Sequence, residues 1–378
     1  MDASSPRSRR QVLTALAGAG SFALLAACSA PPSSSPAPSS GSAGAATSAE
    51  EAGGMEALVA AAKAEGQLNV IALPPDWANY GAMISAFSAK YGITVNSASP
   101  DGSSQDEINA VNQLKGTSRA PDVLDLGMSV ALANTALFAP YKTAGWADIP
   151  DAQKEPSGLW VQDYGGFMSV GYDSSKFPEV TAVSDLTGPA FKNAVALNGD
   201  PTQANAALNG VVMASLASGG SLDDISRGVE FFRGLKASGN FIPVQATSAT
   251  VKSGETPVVF DWDYLAAGNA KEVPTWKVFV PADATLGGYY AQAINKQAPN
   301  PAAARLWQEF LYSDEGQNTY LKGGARPVRM EAMTTAGTID TTAAAALPPV
   351  TGTPVFLSEA QATKAKTALA STWAGAIG

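Results

Sequence analysis

Short apolar runs that break abruptly into polar residues, each followed by a helical stripe, constrain this chain more than any other feature. Leu68 to Leu73 is a near-continuous apolar run that ends in Pro74-Pro75-Asp76-Trp77. Ile93-Thr94-Val95 leads to Asp101-Gly102-Ser103-Ser104, and Ala194 to Leu197 leads to Asn198-Gly199-Asp200-Pro201-Thr202. Val258 to Phe260 ends in Asp261-Trp262-Asp263-Tyr264. Near-continuous runs of this length are how buried parallel strands read. Stripes such as Met83, Ile84 and Phe87, or Leu208, Val212 and Leu216, have helical spacing. Strand and helix in alternation predict an α/β chain with sheets flanked by helices. Further strands are expected at Asp122 to Leu126, Phe167 to Tyr172, Phe241 to Val244, Val278 to Val280 and Tyr289 to Ile294.

In open α/β folds ligands bind beyond the carboxyl ends of strands, which makes the four polar breaks candidate sites. Asp261 and Asp263, interleaved with Trp262 and Tyr264, offer carboxylates and ring faces, both of which attract a cation. The same residues also fit a helix cap over core aromatics. Ser104 with Glu107 three residues on is a capping box, and Ile108, Val111 and Leu114 continue that helix. Ser103 and Asp101 beside it are open to either role, because a helix start is also an anion site. Ser221, followed by Asp223 and Asp224, is expected to cap a helix that closes at Gly239-Asn240.

Composition removes several chemistries. The chain has 378 residues, no histidine, a single cysteine and a formal net charge of −9. Without histidine the commonest general base, the Ser-His pair and most zinc sites are gone. The acidic balance argues against nucleic acid, and no phosphate-loop or dinucleotide glycine fingerprint occurs, so no cofactor is expected. A surface glycosidase with paired aspartates is the alternative of a different class. It requires two carboxyls about 5 Å or 6.5–9.5 Å apart, a role that Asp76 and Asp261, but not Asp261 and Asp263, could fill.

The amino-terminal stretch Ser8-Arg9-Arg10-Gln11-Val12-Leu13 opens a weakly apolar run to Ala27, too short to span a membrane and of the twin-arginine export type. It ends in Leu25-Ala26-Ala27-Cys28, which resembles a bacterial lipobox, where the cysteine is lipidated. Residues 1–27 therefore read as a signal peptide. Residues 28–54, rich in Ser, Pro, Ala and Gly, read as a disordered tether of roughly 25–30 Å. About 320 residues remain, more than one core usually serves.

From residue 55 to about 335 the chain resembles the bacterial extracellular solute-binding proteins of ABC importers, with the type II periplasmic-binding fold. The pattern is nearest to the ferric-ion, polyamine and aminophosphonate binders. The resemblance rests on Lys63-Ala64-Glu65-Gly66-Gln67-Leu68, Ala120-Pro121-Asp122-Val123, Asp185-Leu186 through Phe191-Lys192-Asn193, and Asn300-Pro301-Ala302-Ala303-Ala304-Arg305 through Phe310-Leu311-Tyr312-Ser313-Asp314-Glu315-Gly316-Gln317. It implies a non-enzymatic, monomeric protein of two lobes, each a mixed, mostly parallel sheet flanked by helices, closing by hinge motion around a small molecule. Residues 55–165 and 276–378 would form lobe 1 and residues 166–275 lobe 2. An ABC permease with its ATPase would be the partner, and the protein would sit lipid-anchored on the outer face of the cell membrane.

The cleft between the lobes would be lined by Asp76, Trp77, Asp101, Ser103, Ser104, Asp200, Thr202, Asp261, Trp262, Asp263, Tyr264 and Tyr289. Gly127 falls where the ferric binders carry a carboxylate, and Tyr289-Tyr290 alternate to opposite faces of a strand, so iron loses support. Carboxylates beside tryptophans suit an organic amine of the polyamine kind. The second choice is an aminophosphonate or phosphate ester at the helix starts of Ser103 and Thr202.

Overall fold

The computed structural model describes residues 43–378; the export signal and the lipidation expected at Cys28 lie outside the described residues. The first elements in chain order are α1 (Met55–Glu65), β1 (Gln67–Ile71), α2 (Tyr80–Tyr91), β2 (Thr94–Ala98), α3 (Ser104–Gln113), β3 (Val123–Gly127), α4 (Met128–Ala133), β4 (Phe138–Ala139) and β5 (Val161–Asp173). There follow β6 (Val195–Leu197), α5 (Asn205–Ala217), α6 (Ser226–Ser238), α7 (Ser248–Ser253), β7 (Val258–Trp262), α8 (Asp263–Asn269), β8 (Trp276–Phe279) and β9 (Leu286–Asn295). The chain closes with α9 (Pro301–Leu311), α10 (Asp314–Lys322), β10 (Arg326–Pro327), α11 (Met330–Ala336), α12 (Thr341–Ala345), β11 (Val355–Phe356) and α13 (Glu359–Ile377).

The long strand β5 belongs to two ladders. Its first half pairs with β9 (Phe167 opposite Gly287) and with β10. Its second half pairs with β7 (Met168 opposite Trp262) and β8 (Val170 opposite Phe279). On one side β9 also carries β3, β4 and β11; on the other, β6 lies parallel to β7. The α/β class stands, but six of the nine pairings are antiparallel and three parallel. Strand–helix alternation understated this share because β5 and β9 each run against every principal neighbour. A register shift between Gln162 and Gly165 bulges β5 and leaves both Asp163 and Tyr164 fully buried.

Local expectations shifted where one residue changed the hydrogen bonding. The capping box lies one position earlier: Ser103 is the N-cap, its Oγ accepting from Asp106 N, while Asp106 Oδ2 accepts from Ser103 N at 2.9 Å. Helix α6 begins at Ser226, not after Ser221, because Ser221 and Asp224 close a turn of their own and Asp224 Oδ1 accepts from Ser226 N. Phe241 to Val244 forms no strand. Phe241 makes a single bridge to Val195, and Pro243 has no N–H for a ladder.

Both ends of the described residues pack against the body. Part of the stretch read as tether, residues 43–54, is packed: Ala43, Ala46, Ala49 and Ala52 are buried, and Arg305 Nε donates to Ala46 O at 2.6 Å. Small side chains that cannot build a core alone can still fill close space against α9. The last helix, α13, buries Leu369 and Trp373, the latter 5.5 Å from the ring of Phe232 on α6.

Candidate functional site

Desolvation is the theme of the cleft that opens where α3, α5, α8 and the ends of β1, β3, β6 and β7 meet. Its volume is about 470 Å³, within the usual range for small-molecule sites. Asp76, Asp101, Asp106, Glu107, Asp125, Asp200 and Asp261 all line it, seven carboxyl groups with no Lys or Arg among the lining residues. Trp77 and Tyr290 supply aromatic surface, and Asn198, Gln203, Asn205, Gln245 and Thr247 supply amides and a hydroxyl.

Strained turns deliver two of these groups. Ala72, Ala78 and Asn79 after β1, and Ser99 after β2, have positive φ, a conformation that non-glycine residues adopt only when the surroundings enforce it. They frame Asp76-Trp77 and Asp101 to Ser103. Trp77 Nε1 donates to Tyr164 Oη at 2.6 Å, and its ring meets Tyr290 edge-on at 5.5 Å. Close approach from the other side depends on Gly127, where a Cβ would collide with Asn205 at the start of α5. The position where the ferric binders would carry a carboxylate is thus filled by helix.

Three buried acids differ from the exposed ones. Asp261, 6% exposed, accepts from Asn198 Nδ2 at 3.0 Å through both oxygens and from Trp262 N at 2.8 Å. Burial pushes its pKa up to about 7, against the pull of those bonds. Asp125, 6% exposed, receives Tyr164 Oη at 2.7 Å and Tyr80 Oη at 3.0 Å on Oδ2. Its pKa is also raised to about 7 by burial, with the two tyrosine hydroxyls opposing. Its Oδ1 has no hydrogen-bond partner. Behind it Glu107 Oε2 accepts from Asp125 N at 2.9 Å, and burial, then the Asp125 charge, raises its pKa.

Of the residues singled out in the sequence, Asp76, Trp77, Asp101, Ser103, Ser104, Asp200 and Asp261 line this cleft. Ser103 is occupied as the cap of α3, and Ser104 Oγ accepts from Gly127 N at 2.9 Å. The other five point elsewhere. Trp262 is fully buried beneath Gly288, because a strand turns successive side chains to opposite faces. Asp263 is a structural lock: its Oδ1 accepts from Phe167 N at 2.9 Å and its Oδ2 pairs with Arg326 at 2.6 Å. Tyr264 is buried among Trp77, Tyr164 and Trp262 with its hydroxyl unpartnered. Thr202 bonds Asp200 Oδ1 through both N and Oγ1 at 2.8 Å. Tyr289 faces Phe356, leaving Tyr290 as the cleft tyrosine. No side chain caps α8, whose N-cap is Trp262.

Asp125, Glu107, Asn198 and Tyr290 were missed by sequence reasoning. The available signal was a carboxylate in the middle of the buried run Val-Leu-Asp-Leu, which only hydrogen-bonding partners from elsewhere can accommodate. Among the described residues no group of three His, Cys, Asp or Glu side chains could hold a metal ion, and no helix is long and apolar enough to cross a membrane.

Comparison with known proteins gives the family. Solved structures of the same fold include iron-bound HitA from Pseudomonas aeruginosa (21% identity, 80% of this chain and 97% of that one, TM-score 0.61). Another is AfuA from Actinobacillus pleuropneumoniae with fructose-6-phosphate bound (16%, 82% and 98%, TM-score 0.63). A third is a putative spermidine/putrescine ABC transporter protein from Listeria monocytogenes (14%, 81% and 99%, TM-score 0.61). No curated protein matches the sequence. The family model of the bacterial extracellular solute-binding proteins matches residues 127–344. The chain belongs to that family, and its fold is the type II periplasmic-binding fold.

Proposed function

We propose that this protein captures a small organic cation of the polyamine class and delivers it to the permease of an ABC importer. The observation that carries the reading is the cleft lining of seven carboxyls without one Lys or Arg. An ammonium ion entering such a site gains charge-assisted hydrogen bonds, while Trp77 and Tyr290 cover the methylene chain. An anion would meet Asp101 and Asp106 at the start of α3, and the hydroxyls of Ser103 and Thr202 are already engaged. That weighs against the phosphonate and phosphate-ester reading. Ferric iron lacks the paired tyrosines, since Tyr289 and Tyr290 face apart. The family is one of binding proteins, which weighs against the paired-aspartate glycosidase.

The lobes we propose are residues 43–165 with most of 276–357, and residues 166–275 with α13 against α6. The change of ladder along β5 supports a hinge there and at the return from β8 to β9. Scattering should show a smaller radius of gyration with ligand, and an unchanged profile at saturation contradicts the hinge. We also propose a lipid anchor at Cys28. Cys28→Ser should move the protein from the membrane fraction to the medium; a wild type lacking acyl mass contradicts this.

A thermal-shift panel tests the ligand class. Putrescine and spermidine should raise the melting temperature, and 2-aminoethylphosphonate and ferric citrate should not. Stabilisation by the phosphonate alone overturns the reading.

A further inference from the structure

We infer that Gly127 is the seat on which the second lobe lands when the cleft closes, so that this bare strand end sets the depth of closure and with it the affinity for ligand. The inference rests on the two-lobe reading above and is independent of the ligand's charge. Gly127 ends β3 and Asn205 begins α5, elements of different lobes in that reading. Asn205 lines the cleft, and Gly127 stands opposite Tyr290, another lining residue, in the β3–β9 ladder.

The glycine is there for room and not for backbone freedom. Its φ of −58° and ψ of 140° are open to any residue. A Cβ at position 127 would meet Asn205 Cβ, Cγ and Oδ1 before any other atom. The Cβ of Asn205 is carried by the helix backbone, so no change of rotamer clears it. The rest of that side chain is tied down as well: Asn209 Nδ2 donates to Asn205 Oδ1 at 3.2 Å and to Asn205 O at 2.8 Å. Gly127 N in turn donates to Ser104 Oγ at 2.9 Å. These polar atoms are thus engaged within their own lobes, and the two surfaces can part without breaking those bonds. A second lobe held off at this point leaves Asn198 and Asp261 short of a ligand that rests on Trp77 and Asp101 of the facing wall.

The first test needs no ligand. In the full chain carrying Cys28→Ser, Gly127→Cys and Asn205→Cys should join on mild oxidation, since closure brings the two Cβ atoms within the roughly 3.5–4.5 Å that a disulfide spans. Scattering should give the oxidised protein a smaller radius of gyration than its reduced form. The second test is a double-mutant cycle read by calorimetric titration with spermidine. Gly127→Ala should weaken binding about ten- to a hundred-fold, the scale of an overpacked contact, and leave the melting temperature of the empty protein unchanged. In the Asn205→Gly background the same change should cost nothing. Failure of the disulfide to form, or equal radii for the two forms, overturns the seat. So does a Gly127→Ala variant that is less stable when empty yet binds as tightly, the mark of a contact that never opens. Equal radii while wild type still compacts in spermidine overturn the seat alone; no compaction in either case overturns the two-lobe reading with it. Failure of spermidine to bind overturns the cation reading, and the disulfide then decides the seat.

Discussion

Asp122 and Asn300, 178 residues apart, are joined by two hydrogen bonds: Asn300 N to Asp122 Oδ1 at 2.7 Å and Asn300 Nδ2 to Asp122 Oδ2 at 2.9 Å. Asp122 Oδ2 also accepts from Asn69 N at 2.6 Å. Glu65 arrives at the same helix start, accepting from Ala302 N and Ala303 N at 3.0 and 2.7 Å. Three of the stretches that carried the family resemblance thus meet at the N-terminus of α9, where carboxylates satisfy free amides and the helix dipole. Asp122→Ala strands buried donors that cost about 1–3 kcal/mol each. Denaturant unfolding should show a loss of about 3 kcal/mol, with amine affinity of the folded protein hardly changed.

Trp77 and Trp262 should separate cleanly. Trp262 is fully buried and its Nε1 reaches Tyr290 Oη at 3.4 Å, so Trp262→Leu should cost stability, about 2–4 kcal/mol by the usual scale of truncated core aromatics. Trp77→Leu removes a cleft wall instead. It should weaken amine binding about tenfold, the scale of a partly desolvated cation–π contact, and shift the melting temperature less than Trp262→Leu does.

Acid strength should couple binding to pH. Burial raises Asp125 and Asp261 to about 7 in the folded, empty protein, whereas the unfolded chain returns them towards the ordinary 3.8. Between those values the native state holds more protons, so its stability falls as pH rises from about 4 to 7 and this contribution is gone above about 7. The groups around them set the same sign: Glu107 and Asp163 beside Asp125 are themselves raised by burial and by its charge. Melting temperatures of the empty protein should therefore decline over that window. Amine affinity should rise over it, with proton release visible as a dependence of binding heat on the buffer. Flat profiles on both counts contradict the assigned protonation.

The last helix should be a stability element of the second ladder. Trp373 packs 5.5 Å from Phe232 and 6.2 Å from Phe241. Trp373→Ala should lower unfolding free energy by about 3 kcal/mol, read by urea denaturation, without altering the preference among amines.

The α/β fold was legible because apolar runs and helical stripes are local properties. Its antiparallel pairings were not, because β5 and β9 take their direction from partners as distant as Trp262 and Gly127. Within Asp261 to Tyr264 the composition suggested four ligand groups, and the two-residue period of the strand hid Trp262 in the core. Asp263 was then claimed by Arg326, a partner 63 residues away. Asp125 was hidden for the opposite reason. It stands in an apolar run, and the hydroxyls that make its burial tolerable come from Tyr164 and Tyr80, 39 and 45 residues distant.

Calorimetric titration of spermidine into wild type and Asp261→Asn tests the central claim most directly. The substitution keeps the shape and removes the charge, so affinity should fall by about ten- to a hundred-fold. The melting temperature of the empty variant should be no lower than that of wild type, since a buried charge has been removed. Undiminished affinity in Asp261→Asn, or binding by wild type of 2-aminoethylphosphonate in place of spermidine, would contradict the account.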